Sequence, residues 1–281
     1  AALALVPVLT LAAYAATLRL QQLPPLAVTA QTAAPAASAA DSQAAALQVA
    51  QAEASRRLQQ LVGSLTPAIG APHGLVVKDL KSGAIATSSD QQVFTSASLY
   101  KLFVAQGIYR AIDAGSLSLG DRIGGRTVAD CLHLMITVSD NPCGEALGAR
   151  LGWGKYNDTL KTQGFTGTSL TRPLKTSAAD VALLLERLYH GTLLSPNSSE
   201  HFLGLLKAQR INNRLPAGLP AGTVMAHKTG DLDGLVHDAG IVYGPKTDYV
   251  VVMTSGPWAN PLAAPAAFND LSARLWEHFN Q

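Results

Sequence analysis

Three short segments carry residue types that can do chemistry together. In Ser98-Leu99-Tyr100-Lys101 a helix starting near Ser98 puts the hydroxyl and the amine on adjacent turns of one face. A Lys101 kept neutral by burial and by a nearby cation can take the serine proton and leave an alkoxide-like attacker. Ser139-Asp140-Asn141 falls between two helix-like segments. There a hydroxyl can relay a proton to a leaving group, and an amide can hold a substrate carbonyl or the Lys101 ammonium. Lys228-Thr229-Gly230 follows the β-type run Thr223 to Ala226, at the expected end of a strand. Its ammonium and hydroxyl suit a substrate carboxylate, and the glycine lets a substrate backbone pass close to the strand.

Each segment also has a plainer reading. A Ser and a Lys three apart are commonly a solvated helix pair, Asp140 or Asn141 suits a helix N-cap, and many surface strands end in Lys and Gly. The occurrence of all three in this order, each in a suitable context, shifts the balance towards a site.

The elements that must position these residues follow from periodicity and punctuation. Leu47, Ala50, Ala54, Leu58 and Leu61 recur at helical spacing in a segment that opens the folded domain at Asp41. His73 to Leu80 and Ala84 to Ser88 read as a hairpin around Lys81-Ser82-Gly83. The middle of the chain reads as helices over 98–113, 127–136, 141–151, 155–163, 177–190 and 198–208. Strand composition returns in Thr223 to Ala226, Leu235 to Tyr243 and Tyr249 to Thr254, and Pro265 to Phe279 closes the chain as a helix. Strands at both ends around a helical middle predict an α+β fold with one antiparallel sheet fed by both ends of the chain.

Composition bounds what else the protein can be. With 48% hydrophobic and 14% charged residues among 281, the chain can bury a sizeable core. A net charge of +2 from scattered Lys and Arg gives no basic stripe for nucleic acid. Cys131 and Cys143, the two cysteines, allow one disulfide at most and read better as buried free thiols. The seven histidines lack metal-ligand spacing, so neither a metal nor another cofactor is expected. Ala1 to Leu18 is an uncharged apolar run closed by Arg19, which reads as a signal peptide or membrane anchor (1–19). An Ala/Pro/Gln tether (20–40) and a catalytic domain (41–281) follow. That order places the domain outside the cytoplasm, periplasmic or extracytoplasmic, secreted or anchored through residues 1–18. The chain is expected to be monomeric.

Ser-x-x-Lys, Ser-Asp-Asn and Lys-Thr-Gly in this order are the signature of class A β-lactamases and penicillin-binding proteins. From about Ala45 to its carboxyl end the chain resembles that superfamily. The likeness continues in Ala111 to Gly115, Thr127 to Asp130 and Leu219 to Gly222. The resemblance implies a β-lactamase/transpeptidase-like fold with Ser98 as nucleophile, Lys101 as its base, Ser139 as proton relay and Asn141 as a contact to substrate and Lys101. It further implies that Lys228 and Thr229 bind the substrate carboxylate beside Gly230, with the backbone N–H groups of Ser98 and Asp231 as oxyanion hole. Arg214, fourteen residues before Lys228, is a further candidate carboxylate partner.

Two departures set this chain apart. Class A enzymes carry a glutamate on a long loop after the Ser-Asp-Asn helix, where it activates water; here Gly164 to Ser177 is short and contains no acid, and Glu145 and Glu186 both fall inside expected helices. Between Leu119 and Thr127, GDRIGGR replaces a longer loop, which implies a more open cleft. The reading that accommodates both is a serine hydrolase acylated by D-alanyl peptides, with β-lactams as slowly released mimics. Two alternatives stay open: a class A β-lactamase that deacylates by another route, and a membrane-linked β-lactam-binding sensor without turnover.

Overall fold

The computed structural model describes residues 39–281. The expected signal or anchor, and the expected tether up to residue 38, lie outside the described residues. The first helix, α1 (Ala39–Leu65), starts two residues before the expected boundary at Asp41.

The sheet is fed by both ends of the chain. From the amino-terminal side come β1 (His73–Asp79) and β2 (Ile85–Ser88); from the carboxyl-terminal side come β7 (Val224–Leu232), β8 (Leu235–Tyr243) and β9 (Asp248–Ser255), numbered in chain order. All pair antiparallel in the order β2-β1-β9-β8-β7, so β7 forms one edge. Strand β9 reads Asp-Tyr-Val-Val-Val-Met-Thr-Ser because both of its faces are covered. Val250 and Val252 point with Val76, Ala226, Ala239 and Ile241 into the core shared with the helical middle. Tyr249, Val251 and Met253 point with Leu75, Val77 and Val242 into a second core, closed by Leu58 and Val62 of α1 and by Phe268, Leu271 and Leu275 of α8 (Ala264–Asn280).

The helical middle comprises α2 (Tyr100–Asp113), α3 (Val128–Thr137), α4 (Asn141–Leu151), α5 (Asn157–Thr162), α6 (Ala178–Tyr189) and α7 (Pro196–Lys207). Hydroxyl caps start three of these helices or their neighbours: Thr127 forms a reciprocal box with Asp130, Ser177 accepts from Asp180 N and Ser195 from Ser198 N. GDRIGGR folds back on itself as two short strands, β4 (Arg122–Ile123) and β5 (Arg126–Thr127).

Two further strands, like β4 and β5, were not expected. Strands β3 (Val93–Thr95) and β6 (Lys175–Ser177) pair with each other, and Ser96 N donates to Leu174 O at 2.9 Å just beyond them. This small sheet ties the segment before Ser98 to the end of the 164–177 loop. The fold is the expected α+β arrangement, one antiparallel sheet fed by both chain ends around a helical middle. Among the described residues no helix is long and apolar enough to cross a membrane, and no group of His, Cys, Asp and Glu is arranged to hold a metal.

Candidate active site

The serine is delivered by a sharp turn. Residues Ala97–Leu99 form a single 3₁₀ turn ahead of α2, and Ala97 adopts φ 43°, a conformation costly for a residue with a Cβ. The turn lies against the edge strand β7 at Gly230, where an added Cβ would meet Ala97 Cβ and Ser98 N, each at 3.3 Å. The expected reason for glycine in Lys228-Thr229-Gly230 was the passage of a substrate backbone. The structure shows the space taken by the turn that carries Ser98. His237 of β8 fastens the same region from behind. It is fully buried, its Nε2 lies 2.9 Å from Thr95 O and its Nδ1 3.0 Å from Ser255 N. An Nδ1 that accepts from a backbone N–H must be unprotonated, so the ring is neutral with its proton on Nε2. Burial pushes its pKa down in the same sense.

The Ser-Asp-Asn segment divides its labour. Asp140 caps α4, accepting from Cys143 N at 2.8 Å, which is the plainer reading of the motif. Ser139, at φ 60°, turns the chain so that both it and Asn141 reach Lys101. Lys101 Nζ donates to Ser139 O at 2.6 Å and to Asn141 Oδ1 at 2.8 Å, and it lies 3.1 Å from Ser98 Oγ and 3.2 Å from Ser139 Oγ. A neutral amine has two N–H bonds, so the two shortest contacts use both and leave its lone pair for a hydroxyl proton. Gly144 permits this approach, because a Cβ there would fall 2.9 Å from Lys101 Cε and 2.7 Å from Tyr100 Oη.

The two lysines lie on either side of Ser139. Lys228 Nζ donates to Ser139 Oγ at 2.9 Å and to Thr229 O at 2.7 Å. Both lysines are fully buried. Burial pushes Lys101 down to about 8, against the opposing pull of Asp140, Glu145 and Cys143. Lys228 is pushed well below the usual lysine range, first by burial and then by Lys101. Burial is the first cause at both amines, and the repulsion between them acts on the pair.

Lys228-Thr229-Gly230 is not at a strand end as expected, because β7 continues through it to Leu232. Thr229 Oγ1 is buried without a hydrogen-bond partner. Arg214, the further candidate carboxylate partner, is brought to this strand and buried. It donates to His237 O at 2.9 Å and to the Asp231 carboxylate, while its Nε has no partner.

A cleft of about 380 Å³ opens beside Ser98, lined also by Tyr100, Asn141, Glu145, Arg172, Asp231 and Leu232. Glu145 and Arg172 were not among the expected site residues. Arg172 Nη2 reaches both carboxylate oxygens of Glu145, at 2.7 and 2.6 Å, and the guanidinium lies over the Trp153 ring at 5.3 Å. The 164–177 loop that carries Arg172 is acid-free, as read. Asp180, just beyond it, is buried and accepts from Thr168 at 2.7 Å, holding the loop rather than lining the cleft. Asn157 fixes the loop from the other side through Leu170 N at 2.8 Å and Thr171 Oγ1 at 2.9 Å. Cys131 and Cys143 are free and buried.

Comparison with known proteins agrees with this geometry. The model of the β-lactamase enzyme family matches residues 53–279. The structure of PBP-A is similar at a TM-score of 0.72 and 28% identity, over 81% of this chain and 96% of that one. A leucine-to-glutamate mutant of PBP-A, solved as an acyl-enzyme complex with penicillin G, is similar to the same degree. An ancestral class A β-lactamase is similar at a TM-score of 0.73 and 25% identity, over 79% of this chain and all of that one. No curated protein matches the sequence significantly.

Proposed function

This chain belongs to the β-lactamase enzyme family and is a serine hydrolase, and from that membership we propose that Ser98 is its nucleophile, acylated by D-alanyl peptides and, as mimics that leave slowly, by β-lactams. The observation that carries the reading is the burial of Lys101 within reach of Ser98 Oγ, with its two shortest contacts going elsewhere.

Neutral Lys101 takes the proton of Ser98 Oγ, which attacks the substrate carbonyl carbon. The oxygen that becomes anionic is held by the backbone N–H groups of Ser98 and Asp231. Ser139 shares its hydroxyl with both lysines and passes a proton to the departing nitrogen as the amide bond breaks. The substrate carboxylate goes to Lys228, Thr229 and Arg214. Two buried polar atoms without partners, Thr229 Oγ1 and Arg214 Nε, support that placement. Asn141 contacts the substrate as well as Lys101. An extracytoplasmic location, anchorage or export through residues 1–18 and a monomeric state belong to the same reading and rest on the sequence.

The support for slow release is the acid-free loop together with the engagement of Glu145 by Arg172. Mixing the protein with a chromogenic cephalosporin, while following both product and protein mass, tests this. The expected result is a burst near one equivalent, a persistent adduct on Ser98 and, in a separate assay, D-Ala release from a short peptide. Rapid linear turnover with no trapped adduct would favour the second reading, a β-lactamase that activates water by another route. The position of Glu145 in the cleft is the observation on that side.

A further inference from the structure

Hydrolysis of an acyl-enzyme requires a group that takes a proton from water, and two carboxylates line the Ser98 cleft, Glu145 and Asp231. Each is engaged by an arginine, but the two pairs differ in how they are held. Arg214, which holds Asp231, is buried and bound to the sheet through His237 O. Arg172 and Glu145 have side chains 65% and 47% exposed, so their contact competes with water and can open at little cost.

Glu145 also stands in the right place. It follows Asn141 by one turn of α4, and residues four apart share a helix face. Asn141 Oδ1 accepts from Lys101 at 2.8 Å, so the face that carries Glu145 is the face turned to the nucleophile's base. Its charge reaches the site, since Glu145 is among the groups that raise Lys101 and Tyr100.

Resting on the serine-acylation reading above, we propose that Glu145 is the water-activating base of this enzyme and that Arg172, by occupying both of its carboxylate oxygens, is the latch that holds hydrolysis back. With the latch open, one Glu145 oxygen accepts a proton from a water in the cleft. The water oxygen forms a bond to the acyl carbon, and the Ser98 Oγ–carbon bond then breaks. The departing Ser98 oxygen takes a proton from Lys101, which regains one from solvent, while Glu145 releases to solvent the proton it took from water; the product leaves as the acid, and serine, lysine and carboxylate are all restored. With the latch closed, Arg172 Nη2 donates to both carboxylate oxygens and holds them toward the guanidinium, so the carboxylate is not free to turn to a water beside the acyl carbon. Arg172 is a positioning residue in this scheme, because it acts only through Glu145.

The test loads wild type, R172A, R172K, E145Q and R172A/E145Q with penicillin G, removes free drug and follows decay of the adduct by mass. R172A should shorten the adduct lifetime by roughly 10²-fold, the lower end of what a positioned base contributes. E145Q placed in that background should restore the long lifetime, and R172K, which keeps a cation at the position, should stay close to wild type. An unchanged lifetime in R172A overturns the proposal, as does a short lifetime that survives loss of Glu145 or is shared by R172K. Absence of any Ser98 adduct on wild type would overturn the acylation reading and this proposal with it, so the two failures are told apart.

Discussion

The two walls of the Ser98 cleft hold their charges on opposite terms. On the inner wall Lys101 and Lys228 are completely buried, and their hydrogen bonds run to Ser98, Ser139, Asn141 and a backbone carbonyl. Low solvation there lowers the pKa of both amines, because burying an ammonium with no carboxylate partner is costly. On the outer wall Glu145 and Arg172 keep contact with water, and their pairing is screened. The inner wall is therefore tuned by the fold as a whole, whereas the outer wall depends on one contact between two side chains. Under the proposed roles acylation depends on the first wall, and its rate should be hard to raise by surface changes; deacylation depends on the second, and a single substitution should alter it.

The inner wall breaks most completely at the nucleophile. Ser98→Ala should abolish covalent labelling by a penicillin while leaving thermal unfolding nearly unchanged, because a partly exposed hydroxyl contributes little to stability. Labelling that persists at another serine would remove the assignment. Lys101→Met should follow, with acylation slowed by about 10²–10⁴-fold, the usual contribution of a positioned base. The sign of the pH dependence is fixed by burial. Only the deprotonated amine accepts a proton, and its pKa is lowered to about 8, so wild-type acylation should rise with pH through that value and then level off. A flat profile from about pH 6 to about pH 10, against an ordinary lysine near 10.4, would place the base elsewhere.

Lys228→Ala should have the next largest effect. It removes a donor to Ser139 Oγ as well as a carboxylate contact, so the acylation rate should fall more than initial binding weakens. Charge-assisted hydrogen bonds contribute about 1.5–3 kcal/mol, which corresponds to roughly 10–10²-fold. Should binding alone weaken, Lys228 would be a carboxylate ligand with no part in orienting Ser139.

The inner wall was legible in the sequence for a physical reason. Each of its motifs is local, a pair at helical spacing or three contiguous residues, so the geometry of one turn or one strand carries it. The outer wall was not legible. Glu145 and Arg172 are 27 residues apart, on a helix and a loop, and no spacing links them. The one available signal was that Glu145 lies four residues after Asn141. Arg214 was visible only as a candidate, since the burial and contacts that fix it come from β7 and β8. Strands β3 and β6 escaped because three residues are too few to show alternation. Strand β7 looked finished at Ala226 because Lys228, Gly230 and Asp231 lack β-propensity, although antiparallel pairing with β8 carries it on to Leu232.

The smallest expected effect bears most directly on the contrast between the walls. If the Arg172–Glu145 pair were part of the scaffold, removing it would loosen the 164–177 loop and lower stability. Its exposure argues otherwise: screened surface pairs contribute about 0–1 kcal/mol, and for a domain of this size that is at most roughly 2–4 °C in Tm. The loop has other fastenings, through Asn157, through Thr168 to buried Asp180, and through the β3–β6 pairing. Glu145→Gln keeps the shape of the side chain and removes its charge, so thermal unfolding should shift by no more than those few degrees. The Thr168–Asp180 contact supplies the internal standard, because Asp180→Ala removes the buried carboxylate that accepts from Thr168 Oγ1 and from the loop backbone and opens a cavity, which should cost more. A fall in Tm for Glu145→Gln as large as that for Asp180→Ala would show that the outer wall is structural after all. Any change in adduct lifetime would then have to be traced to the loop rather than to a base.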